Sequence, residues 1–63
     1  MDYLTPIEFI NEGIKQNATL DIILYQSFHY PIQLITTGTL NFEDSMNWMD
    51  EAQKIIFNMM KES

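Results

Sequence analysis

Residues 41–61, NFEDSMNWMDEAQKIIFNMMK, constrain the fold of this chain more than any other stretch. Asn41 is a good first cap for a helix, because its side-chain oxygen accepts a backbone N–H of the first turn. Glu43 and Asp44 follow where the positive end of the helix dipole favours acids, and Lys61 lies at the end that favours a cation. We therefore expect one long helix over these residues.

The apolar side of this predicted helix is broad. At about 100° per residue, one stripe collects Phe42, Met46, Met49, Ile56 and Met60, and a second row adds Trp48, Ala52, Ile55 and Met59, with Phe57 on the other border. The apolar arc is roughly 200° wide, against 100° or slightly more for a surface helix. Methionine-rich surfaces suit adaptable binding, so the edge formed by Trp48, Ile55 and Met59 is expected to reach beyond the core and contact a partner. Ordinary core packing is the alternative.

The remaining side of the helix is acidic. It carries two pairs of acids seven residues apart, Glu43 with Asp44 and Asp50 with Glu51, and Lys54 is its only cation. These four acids are candidate contacts for a basic surface on another protein. The simpler interpretation is a solvated face that keeps a small domain in solution.

A second helix is predicted near the N-terminus. Thr5, Pro6 and Glu8 occupy the N-cap, N1 and N3 positions of a capping box. This helix is expected to run to about Gln16 or Asn17. Gly13 lies inside it at a cost of up to about 1 kcal/mol; we interpret it as tolerated, with close approach of another backbone as the alternative.

The middle of the chain favours a β-hairpin. Residues 20–28 and 31–38 are rich in Ile, Leu, Thr and aromatic residues, Pro31 suits the first residue of a strand, and Gly38-Thr39 predicts a turn. The expected fold class is thus α+β, an α–β–β–α domain whose antiparallel hairpin is packed by an N-terminal and a longer C-terminal helix. Helical spacing of Leu20, Ile23 and Leu24 leaves a helix over residues 19–29, and an all-α fold of three helices, as the alternative.

The length allows a single domain over residues 1–63. A chain of this size is marginally stable alone, and small domains usually add disulfides, metal or self-association. There is no cysteine and one histidine, so self-association or a protein complex is the expected route. A homodimer is therefore one expected partner arrangement.

Charge excludes several classes of function. The net charge is −6, with three lysines and no arginine, whereas nucleic-acid binding needs several cations on one face. We therefore expect no direct nucleic-acid binding.

No apolar run reaches the roughly 20 residues of a membrane span, and the acidic N-terminus lacks the features of a signal peptide. In composition the chain resembles small open reading frames of bacteria and their phages, which implies the cytoplasm of a bacterial host cell.

No residue pattern supports catalysis. His29 is a lone histidine in a predicted turn, and the serines lack the context of a catalytic nucleophile. No cofactor or metal site is predicted, and we expect no enzyme activity.

The sequence therefore predicts a small acidic interaction protein that binds and regulates or inhibits a larger protein. In its most specific form this is a phage-type inhibitor, similar to anti-CRISPR or anti-restriction proteins, that occupies a nucleic-acid-binding surface. The alternatives are a structural homodimerisation module without a ligand site and a transcription-associated regulator. The predicted partner-binding residues are Glu43, Asp44, Asp50, Glu51, Trp48, Ile55 and Met59.

Overall fold

In the computed structural model, which describes residues 2–62, the chain forms three helices. Helix α1 spans Pro6–Lys15, α2 spans Leu20–Thr36 and α3 spans Phe42–Glu62. Residues 2–62 contain no β-strand. The predicted α–β–β–α class is therefore wrong, and the all-α arrangement of three helices that was its alternative is observed.

Both predicted helix starts are confirmed. The Glu8 backbone N–H donates to Thr5 Oγ1 at 3.3 Å, and the Thr5 backbone N–H donates to Glu8 Oε1 at 2.9 Å. This backbone hydrogen bond from Thr5, helped by the Thr5 hydroxyl, lowers the pKa of the Glu8 carboxyl. At α3, the Asp44 backbone N–H donates to Asn41 Oδ1 at 2.8 Å.

Helix α2 runs through the segment predicted as a hairpin, and Pro31 lies inside it. A proline in a helix interior costs about 3 kcal/mol. Burial of Ile23 and Leu34 on this helix contributes about 1.5–3 kcal/mol for each side chain, and the Pro31 ring is itself buried. Tertiary packing therefore outweighs the local cost. His29 consequently lies on a helix and not in a turn.

Both connections end their preceding helix with the same backbone motif. Asn17 and Gly38 adopt positive φ angles of 64° and 75°. After α1, the Ala18 N–H donates to the Gly13 carbonyl and the Asn17 N–H donates to the Ile14 carbonyl. After α2, the Thr39 N–H donates to the Leu34 carbonyl and the Gly38 N–H donates to the Ile35 carbonyl. These are Schellman motifs, and the predicted turn at Gly38-Thr39 is confirmed.

Helices α2 and α3 form an antiparallel hairpin, against which α1 packs. The main buried cluster consists of Ile10, Ile23, Trp48, Ala52 and Ile56, and Leu34 is buried as well. Small buried residues, Ser27 on α2 and Ser45 and Ala52 on α3, keep the two long helices close. Across the hairpin, Gln53 Nε2 donates to Ser27 Oγ at 3.1 Å, and that hydroxyl donates to the Leu24 carbonyl at 2.6 Å.

One aromatic ring from each helix contacts the rings of the other two helices. Phe9 stacks on Tyr30 with a centroid distance of 5.2 Å and meets Trp48 edge-on at 5.3 Å. The Leu4 backbone is held by the same rings: its N–H donates to the Tyr30 hydroxyl and its carbonyl accepts from Trp48 Nε1, both at 2.8 Å. The segment before α1 is thereby attached to both long helices.

Gly13 is required by the packing of α2. A Cβ atom at this position would lie 2.9 Å from Ile23 Cγ1, so the interpretation of Gly13 as merely tolerated is wrong. The group that approaches it is a side chain and not the backbone that the sequence left as the alternative. We expect Gly13→Ala to lower the free energy of unfolding by about 1–3 kcal/mol because the core has no room for the methyl group. Urea denaturation followed by circular dichroism measures this.

The control uses the same substitution without the crowding. With Ile23→Ala already present, Gly13→Ala is expected to stabilise the helix by up to about 1 kcal/mol through its higher helix propensity. Equal effects of Gly13→Ala in both backgrounds would contradict the contact.

Candidate functional site

The four predicted acids lie on the outer surface of α3. Glu43, Asp44, Asp50 and Glu51 are all exposed, and helical geometry places the two pairs about 10 Å apart along the axis. We call these four residues the acidic ridge. Because they share one rigid helix, their spacing is fixed before any partner binds.

The apolar residues predicted to bind a partner are less accessible than the acidic ridge. Trp48 is only 5% exposed and belongs to the core. Ile55 and Met59 are half-buried and pack against that core. Glu51 and Ile55 line the same shallow pocket, and Trp48 lines a groove with Asp50 and Glu51. The acidic ridge therefore borders this apolar edge, although Trp48 itself offers a partner very little surface.

A groove of about 520 Å³ separates the segment before α1 from α3. Asp50, Glu51 and Lys54 line it on the α3 side, and Tyr3 and Thr5 line it on the other. Its lining thus includes two carboxylates and one ammonium group, and no histidine or cysteine. Such a set suits electrostatic contact with a partner more than acid–base chemistry, which needs an environment that separates two pKa values.

Helix α2 also carries large apolar side chains on its exposed side, which the hairpin prediction missed. Besides its buried residues, it exposes Ile22, Tyr25, Phe28 and Ile32. Asp21 is its only charged residue, and a hydrogen bond from the Thr19 side chain lowers the pKa of the Asp21 carboxyl. Exposed polar residues such as Gln26 and Gln33 lie on the same outer side, yet these four large apolar side chains are not covered by any other part of residues 2–62.

Exposed apolar residues of α2 and α3 lie on the same side of the hairpin. We define the open face by six of them: Tyr25, Phe28, Ile32, Phe42, Met46 and Phe57. Phe28 and Ile32 lie about 160° around α2 from Tyr30, which contacts α1. Phe57 lies about 180° around α3 from Trp48, which also contacts α1. The open face is therefore the side of the hairpin that α1 leaves uncovered.

The spacing of the α2 residues was the signal for this face. Tyr25, Phe28 and Ile32 follow one another at intervals of three and four residues, as neighbours on a helix do. The wide apolar arc of α3 was recognised from the sequence, but its exposed edge is the one with Phe42, Met46 and Phe57.

Residues 2–62 hold no group of three or more His, Cys, Asp or Glu side chains that could bind a metal ion. His29 is exposed on α2, with its ring stacked 6.2 Å from that of Tyr25. None of the described helices is long and apolar enough to cross a membrane.

Comparison of the chain with protein-family models, curated proteins and solved structures gives no match.

Proposed function

We propose that this chain is a small acidic interaction protein that regulates or inhibits a larger protein by binding to it. The observation that carries the proposal is the acidic ridge, whose four carboxylates are exposed along one rigid helix. The chain has nine acids against three lysines, so most of its negative charge has no cation available to balance it. A basic surface on another protein is the complementary partner.

The more specific form of the proposal is that the acidic ridge occupies a nucleic-acid-binding surface. Such surfaces are lined by Lys and Arg side chains that otherwise bind phosphates. Two acidic pairs about 10 Å apart on a helix offer these cations a row of carboxylates in place of phosphates. Nucleic acid and this chain would then compete for one site.

The test compares two variants with the same net charge. One variant neutralises three of the four ridge acids by Asp44→Asn, Asp50→Asn and Glu51→Gln. The control neutralises three acids elsewhere, by Asp2→Asn, Glu12→Gln and Glu62→Gln. Each tagged protein is used to capture partners from lysate of its native host, before and after phage infection, with and without excess duplex DNA. Circular dichroism verifies that both variants remain helical.

The proposal is supported if the wild type and the control retain a partner that excess DNA displaces. The ridge variant should bind that partner at least tenfold more weakly (about 1.4 kcal/mol). Equal retention by the ridge variant and the control would show that the ridge is only a solvated face. If a partner is retained through the ridge but DNA does not displace it, the protein interaction is supported. The proposal that the ridge occupies a nucleic-acid-binding surface is then contradicted.

A further inference from the structure

We propose that the open face binds a second copy of this chain, so that two α2–α3 hairpins pack face to face as a four-helix core with each α1 on the outside. No residue of the open face belongs to the acidic ridge, although the ridge residue Asp50 borders it, so the inference does not require the ridge to bind a partner. It rests on the area, the chemistry and the position of the open face.

The area of the open face fits a dimer of small subunits. Its six side chains are between 42% and 68% exposed. With about 150–250 Å² for an aromatic side chain and somewhat less for Ile and Met, the exposed parts amount to roughly 600 Å². A standard interface buries about 800 Å² on each partner, and the polar residues that flank these six can supply the remainder. The largest apolar patch of a typical monomer is about 300–600 Å², so this face is at or above the upper limit.

The chemistry of the open face selects an apolar partner. None of its six residues carries a charge, although the chain has a net charge of −6. Apolar surface is best covered by apolar surface, and the same face on another copy is a surface of that kind. In a twofold dimer one patch meets itself, so each copy presents the aromatic and methionine side chains that the other needs.

The position of the open face makes a dimer compatible with the charge. The core of each subunit and its α1 helix lie on the other side of the hairpin, so they remain intact when the faces meet. None of the six residues is an acid, but helical spacing places the exposed Asp21 beside Tyr25 and Phe28 on α2, and the exposed Asp50 beside Met46 and Phe57 on α3. These carboxylates lie at the border of the open face. Salt screens the repulsion that remains between two acidic subunits. Raising the salt concentration is therefore expected to leave the dimer unchanged or to tighten it.

The proposal also supplies the stabilisation that a short chain without disulfides needs. The chain has no cysteine, and residues 2–62 hold no candidate metal cluster. Self-association is the remaining common route for a domain of this size.

Sedimentation velocity of the purified full-length protein tests the dimer, over concentrations from about 1 to about 100 µM. We expect a dimer with a dissociation constant on the order of micromolar, because apolar patches of this size give moderate affinity. Phe28→Glu and Phe57→Glu, on different helices, should each raise this constant at least about 100-fold, because twofold symmetry buries the new carboxylate twice.

Matched controls lie on α1. Ile14 is as exposed as Phe28, at 45%, and Ile7 is 50% exposed against 54% for Phe57. Ile14→Glu and Ile7→Glu add the same charge away from the open face and should leave the dissociation constant within about threefold. Circular dichroism verifies that all four variants stay helical.

Two results would overturn the proposal. One is a wild-type protein that sediments as a monomer throughout the concentration range. The other is a dimer that persists in both Phe28→Glu and Phe57→Glu. Loss of the dimer in those variants with retention in the α1 controls supports it. Because purified protein is used without any partner, neither result depends on whether the acidic ridge binds a basic protein.

Discussion

Trp48→Ala is expected to remove most or all of the stability of the folded chain. Trp48 is 5% exposed, contacts the rings of both Phe9 and Tyr30, and donates its indole N–H to the Leu4 carbonyl. Truncating a buried tryptophan to alanine costs about 3–5 kcal/mol. At about 0.05–0.15 kcal/mol per residue, a chain of this length has only about 3–9 kcal/mol in total.

Thermal and urea unfolding followed by circular dichroism at 222 nm measure the effect of Trp48→Ala. The matched control is Trp48→Phe, which keeps an aromatic ring in the core but loses the hydrogen bond to Leu4. We expect the control to stay folded with a loss of about 1–3 kcal/mol, because the Leu4 carbonyl loses its donor. A Trp48→Ala protein that melts within a few degrees of the wild type would contradict the central position of this ring.

Ile56→Ala is expected to lower the free energy of unfolding by about 2–5 kcal/mol. Ile56 is completely buried on α3, within the core cluster that all three helices share. Its removal leaves a cavity that the flanking helices can fill only in part. Urea unfolding at a protein concentration low enough to keep the chain monomeric measures this loss.

The control for Ile56→Ala makes the same chemical change at an exposed site. Ile7 on α1 is 50% exposed, so Ile7→Ala removes less buried surface and improves the intrinsic helix propensity. We expect its effect to stay within about 0.5 kcal/mol. Similar losses at the two positions would show that the hydrophobic core is not where the structure places it.

Helices α1 and α3 were predictable because their ends carry local signals. The capping box of Thr5 and Glu8 and the Asn41 cap each act within one helical turn, so the sequence alone specifies them. The apolar periodicity of α3 continues over its whole length, and that regularity distinguishes a helix from a strand.

Helix α2 was mispredicted because its local signals and its tertiary packing disagree. Pro31 and the threonines after it disfavour a helix, but the Pro31 ring is fully buried. The Thr36 and Thr37 hydroxyls donate to the carbonyls of Ile32 and Leu34 and so fit the helix end. Burial decides the outcome here, and burial depends on where α3 lies, which no short window of sequence contains.

Of the two candidate surfaces, the sequence predicts the acidic ridge but not the open face. The acidic ridge could be read from the sequence, because charged residues on a regular helix stay at its surface. Which edge of the broad apolar arc is covered could not be read, since that depends on the side of the hairpin on which α1 packs. The structure places α1 over Trp48, and the edge with Phe42, Met46 and Phe57 remains exposed.

The Leu4 contacts give this protein an optical reporter of its own. The chain has a single tryptophan, and its indole N–H is bonded to the segment that leads into α1. Detachment of α1 alone, with the α2–α3 hairpin intact, would bring water to the indole and shift its fluorescence emission to longer wavelengths while the helical content hardly changes. Emission and ellipticity recorded together can therefore separate the release of one helix from the unfolding of the whole chain.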